Sequence, residues 1–118
     1  MLTVKRSFIL LFALAAALTA SAAYAQPPSN VSAVWNRDSA TLSVTANHPV
    51  KDPAKHFVML LTVKNGDKQI FSKKYTQQQS AETFKDTVPL TGVIQGDRIT
   101  VQLVCNIMGE TQTTAVIQ

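Results

Sequence analysis

Arg98-Ile99-Thr100-Val101-Gln102-Leu103-Val104-Cys105 is the stretch that decides the fold class. Ile99, Val101, Leu103 and Cys105 fall on one face, and Arg98, Thr100 and Gln102 on the other. Apolar residues at every second position mark a strand with one side on a core. Downstream, Gly109-Glu110 turns the chain into a final strand over 111–117. Upstream, 89–96 is a turn-rich connection, 82–88 a strand and 77–80 a polar loop. Residues 57–63 are apolar on both faces, which predicts a central strand. Asn65-Gly66 then predicts a type I′ hairpin with positive φ at both residues, leading into a partner strand over 68–75. Residues 40–46 alternate again, Leu42, Val44 and Ala46 against Thr41, Ser43 and Thr45. A turn at 36–39 joins them to a short strand over 31–35.

Seven short strands with no helical periodicity predict an all-β fold, an immunoglobulin-like seven-stranded antiparallel β-sandwich or barrel. The fold begins after residue 25. Lys5 and Arg6, an apolar core from 8 to 18, and Ala23-Tyr24-Ala25 have the form of a cleavable signal peptide, residues 1–25. The apolar core is too short to span a bilayer. Residues 26–118 then form one exported domain, periplasmic or secreted, with no membrane attachment after cleavage.

Charge narrows the function classes. The chain carries 11 Lys+Arg and 7 Asp+Glu, and loss of Lys5 and Arg6 leaves a net of +2. The remaining lysines are scattered among acids, without the concentrated basic stripe and aromatic platforms that nucleic acid requires. Acidic residues are few, and no serine sits in a nucleophile-elbow motif, so hydrolase chemistry is not indicated.

The thiol and imidazole groups carry the chemistry. Cys105 is the only cysteine, so it forms no internal disulfide; a buried inert thiol, an intermolecular bridge or a metal ligand are its alternatives. Both histidines, His48 and His56, flank a loop stiffened by Pro49 and Pro53. Met108 follows Cys105 by three residues. By residue type alone, loop histidines are most often solvated and Cys105 shares a face with core residues. As ligands, two neutral imidazoles and a thiolate suit iron, copper or zinc.

His48-Pro49, His56-Phe57, Asn65-Gly66 and Cys105-Asn106-x-x-Gly109, in that order, resemble the iron-binding domain of the desulfoferrodoxin and neelaredoxin superoxide reductases. The resemblance runs from Val31 to Ile117. It implies a seven-stranded immunoglobulin-like barrel with a mononuclear iron (Fe2+/Fe3+) held by four equatorial histidines and an axial cysteine, open to superoxide or a small redox anion. His48 and His56 match two equatorial ligands, and Cys105 matches the axial thiolate. Lys51 and Lys55 can steer the anion electrostatically, although neither aligns with the family's lysine. The chain departs from the pattern where Met108 replaces the histidine that follows the cysteine, and where no histidine stands near Pro28 or Ser29. Its His48–His56 loop is also longer. The ligand set is therefore degenerate, with Met108 as an optional further donor, and superoxide reductase-like oxidoreductase activity and its electron donor are left open. Two alternatives stand beside it: a His/Cys/Met copper-binding electron carrier, and a metal-free binding module of the same fold.

Overall fold

A computed structural model describes residues 26–118; the signal-peptide segment read at 1–25 lies outside the described residues. The chain forms seven strands, β1 (Ser29–Asn36), β2 (Thr41–Asn47), β3 (Val58–Asn65), β4 (Lys68–Lys74), β5 (Thr83–Pro89), β6 (Arg98–Cys105) and β7 (Glu110–Val116). Every expected strand is present, and no helix occurs among the described residues. The strands form two antiparallel sheets, one ordered β1-β2-β5 and the other β4-β3-β6-β7. The sheets do not close into a barrel. β1, β5, β4 and β7 each have one hydrogen-bonded neighbour, so the structure is an open two-sheet stack.

The inward stripes follow the sequence pattern. Leu42, Val44 and Ala46 of β2 face Leu61 and Val63 of β3 and Ile99, Val101 and Leu103 of β6, all buried, with Phe84 and Val88 of β5 completing the core. Burying each such side chain contributes about 1.5–3 kcal/mol, which makes this layer the main source of stability.

β3 departs from simple alternation. Val58 pairs with Cys105 and Leu60 with Val104, so Met59 is an extra residue without a partner on β6. This bulge changes which parity faces inward: Val58 before it, and Leu61 and Val63 after it, are all fully buried. Bulges beside functional sites re-aim side chains, and this one sits opposite Cys105.

The β3–β4 hairpin corrects one expectation. Asn65 is the last ladder residue, paired with Lys68, and the central turn positions are Gly66 and Asp67. Gly66 has φ of 60°, and Asp67 is not among the positive-φ residues, so the turn is not the expected type I′ over Asn65-Gly66. Asn65 stays in the strand because its Nδ2 donates to Asp97 Oδ2 (2.9 Å) and its backbone pairs with Ile99.

The two sheets are also linked at one edge. Lys73 Nζ donates to Asp86 Oδ2 at 2.9 Å, and the Tyr75 hydroxyl donates to the same oxygen. Burial raises the Tyr75 hydroxyl well above the ordinary tyrosine range, and the Asp86 carboxylate adds to this. Burial opposes ionisation of Asp86, but the Tyr75 hydroxyl, the Lys73 ammonium and the Thr87 backbone N–H together hold its carboxyl below the usual aspartate value. A depressed folded-state value contributes stability above the unfolded value of about 3.9, lost as pH falls through the folded one. Asp86→Asn is expected to flatten that acid limb in chemical unfolding measured between pH 2 and 6, with up to about 1 kcal/mol lost at neutral pH. An unchanged acid limb would show that Asp86 does not couple to folding.

Candidate metal centre

The site is the last layer of the core. Inward positions of β2 run Leu42, Val44, Ala46, and the next is His48, one residue beyond the strand and fully buried. On β6 the stripe runs Ile99, Val101, Leu103 and ends at Cys105, which is 4% exposed. His56, 7% exposed, lies two residues before inward-facing Val58. Three core stripes from both sheets thus end in the three metal-ligating side chains.

Their donor atoms, one from each residue, all lie within 4.8 Å of one another. His56 Nε2 is 3.1 Å from Cys105 Sγ, and the two rings meet edge to face with centroids 4.8 Å apart. Bonds of about 2.0–2.1 Å to nitrogen and 2.3 Å to sulfur hold neighbouring donors roughly 3.1–3.6 Å apart. The His56–Cys105 pair is already at that spacing. The widest pair, within 4.8 Å, would need to close by about an ångström to share one ion.

The backbone fixes these positions. His48 N–H donates to Glu82 O (2.9 Å), and Val50 N–H to Ala81 O (2.7 Å), which ties the histidine loop to the start of β5. Asn106 brackets His56: its Nδ2 donates to Lys55 O and its Oδ1 accepts Phe57 N–H, both at 2.9 Å. The Asn106 side chain thus clamps a loop some fifty residues away. Cys105 N–H donates to Gly109 O at 3.0 Å. Gly109 has φ of 79°, and a Cβ there would lie 2.8 Å from Pro27 Cβ, so only glycine fits this turn.

The protonation chemistry favours a ligand set. Burial, and then His48 beside it, lowers the basicity of His56 below the ordinary histidine value, which disfavours the charged ring. A single proton suffices between His56 Nε2 and Cys105 Sγ, and a metal ion takes the place of such a proton. His48 Nδ1 is 2.7 Å from Gln78 Oε1, while His48 Nε2 is buried with no hydrogen-bond partner. An unpartnered buried polar atom costs about 1–3 kcal/mol. A buried, unpartnered imidazole nitrogen, on a histidine grouped with a thiol and a second imidazole, is a feature that a bound metal ion would explain.

The structure therefore brings His48, His56 and Cys105 together. The expectation that loop histidines are solvated is corrected: both continue inward-facing stripes. Met108 faces solvent at 55% exposure. Lys51 and Lys55 lie exposed on the loop between the histidines. Gln78, read only as loop, is buried against His48; its neighbours Gln77 and Gln79 are exposed, and nothing in the run singles it out. Comparison of the chain with protein-family models, curated proteins and solved structures gives no match.

Proposed function

We propose that this chain is an exported metal-binding protein of superoxide reductase-like type, in which His48, His56 and Cys105 hold a single iron. The observation that carries it is the buried convergence of these three residues' donor atoms, with His48 Nε2 buried and without a hydrogen-bond partner. In this reading the two sheets are an immunoglobulin-like arrangement, residues 1–25 are its signal peptide, and the degenerate ligand set is completed by solvent. Iron held here would supply the one electron that, with two protons, takes superoxide to hydrogen peroxide, passing from Fe2+ to Fe3+ and being restored by an external electron donor. The thiolate donates electron density, the imidazoles fix the geometry, and Lys51 and Lys55 raise the local concentration of the anion.

A second reading, copper(I), is favoured by one observation: the three donors are nearly fully buried, and as ligands (two neutral imidazoles and one thiolate) they would bear a single negative charge between them. A monovalent ion gives a neutral unit, whereas a divalent ion leaves one uncompensated charge in the core, which is costly. Soft thiolate also selects copper(I).

Elemental analysis of untagged protein, purified without oxygen and again after air oxidation, separates the readings. Near-stoichiometric iron with a visible thiolate-to-iron band supports the first. Stoichiometric copper in a colourless reduced protein supports the second. A chain that holds no metal and takes none up overturns both and leaves the metal-free binding module.

A further inference from the structure

Gln78 is the one long polar side chain of its loop that is buried, at 4% exposure. Its backbone N–H donates to Pro53 O at 3.0 Å, which docks it on the histidine loop. Its Nε2 donates to two carbonyls, His48 O at 2.9 Å and Ser80 O at 3.0 Å. These bonds fix the amide, because the flipped orientation would set an oxygen against two carbonyl oxygens. Oε1 must then face His48 Nδ1, at 2.7 Å, and Val58 N–H, at 3.4 Å. A carbonyl oxygen only accepts, so Nδ1 carries the hydrogen. In a neutral imidazole the other nitrogen is then bare.

We propose that Gln78 is a positioning residue that holds His48 as the Nδ1–H tautomer and so assigns Nε2 as its metal-binding nitrogen. The inference rests on the metal-binding reading for its ligand, though the tautomer itself can be measured without one. Without Gln78, nothing among the contacts of His48 Nδ1 distinguishes the two nitrogens. Partners that orient a ligating histidine are worth about 10–100-fold in metal affinity.

The test is nitrogen-15 NMR of the two imidazoles in metal-free protein at fixed neutral pH, combined with cobalt(II) titration followed by the thiolate charge-transfer band. The wild type is expected to show His48 with a protonated Nδ1 and an unprotonated Nε2. Gln78→Met, which keeps the length and loses the amide, is expected to mix the tautomers and weaken cobalt binding about 10–100-fold. It should leave the charge-transfer band in place, because Cys105 is untouched. Gln79→Met, at the exposed neighbour, is expected to change neither.

A wild-type His48 with Nε2–H overturns the proposal whatever the variants do, including a Gln78→Met chain that fails to fold. Equal cobalt affinity and an unchanged tautomer in a folded Gln78→Met also overturn it. A wild type with the expected tautomer that takes up no cobalt overturns the reading of a divalent-metal site while upholding the tautomer assignment.

Discussion

Cys105→Ala is expected to abolish metal binding while leaving the fold in place. As a ligand, Cys105 would be a thiolate and the only anionic donor of the three, and the two imidazoles left behind offer a neutral, two-coordinate site. Loss of a partner that merely orients a ligand costs about 10–100-fold in affinity, so removing the anionic ligand itself should cost at least a hundredfold. Cys105 has its backbone N–H bonded to Gly109 O and pairs with Val58, and neither contact uses the sulfur. Its thiol is a small buried group, so metal-free stability should fall by only about 1–2 kcal/mol. The measurement is metal titration by calorimetry with thermal unfolding of both metal-free proteins. Retained affinity would sink the assignment of sulfur as a ligand. Cys105→Ser, with oxygen in place of sulfur, should keep the fold and lose any thiolate band.

The cysteine faces the core, as period-two alternation required, and that once looked like an argument against ligation. Here the inward direction is what brings the thiol to the histidines, because they face the core too. His48 continues the stripe Leu42, Val44, Ala46 by one more step, and extending the alternation past the end of β2 would have found it. Alternation is a property of any extended backbone, paired or not, so the stripe ran on past the point where the ladder ended. His56 was harder to read, because it lies outside β3 and its flanking backbone is held by Asn106 from the turn after β6. The bulge at Met59 left no trace in a run that is apolar throughout. Gln78 was beyond reach in one dimension: three adjacent glutamines have identical local chemistry, and only the approach of Pro53 and His48 selects the middle one. The strands were readable because each is a local periodicity. The turn over Gly66-Asp67 was not, because the contact of Asn65 with Asp97 decided which residue ended the ladder.

Phe84→Ala should produce the largest loss of stability in the molecule. Its ring is 1% exposed, and it sits directly opposite Ala46 in the β2–β5 ladder, where the small alanine leaves room for it. It also meets Tyr75 edge to face with centroids 5.1 Å apart, tying β5 to the chain just beyond β4. Truncating a buried phenylalanine costs about 3–5 kcal/mol, through lost transfer energy and the cavity left behind. For a domain of this size that corresponds to a fall in Tm on the order of 15–30 °C. Phe84→Leu, which refills most of the space, should lose considerably less. The informative quantity is the gap in Tm between metal-loaded and metal-free protein, because metal stabilises in proportion to its affinity for the folded state. His48 is one core layer from Phe84, but it is held by the Glu82 carbonyl and by Gln78, and neither bond involves the ring. The gap should therefore survive in Phe84→Ala, with both curves displaced together. If the gap collapses instead, the aromatic layer beneath Ala46 is what holds His48 in place, and the ligand geometry depends on core packing rather than on its hydrogen bonds.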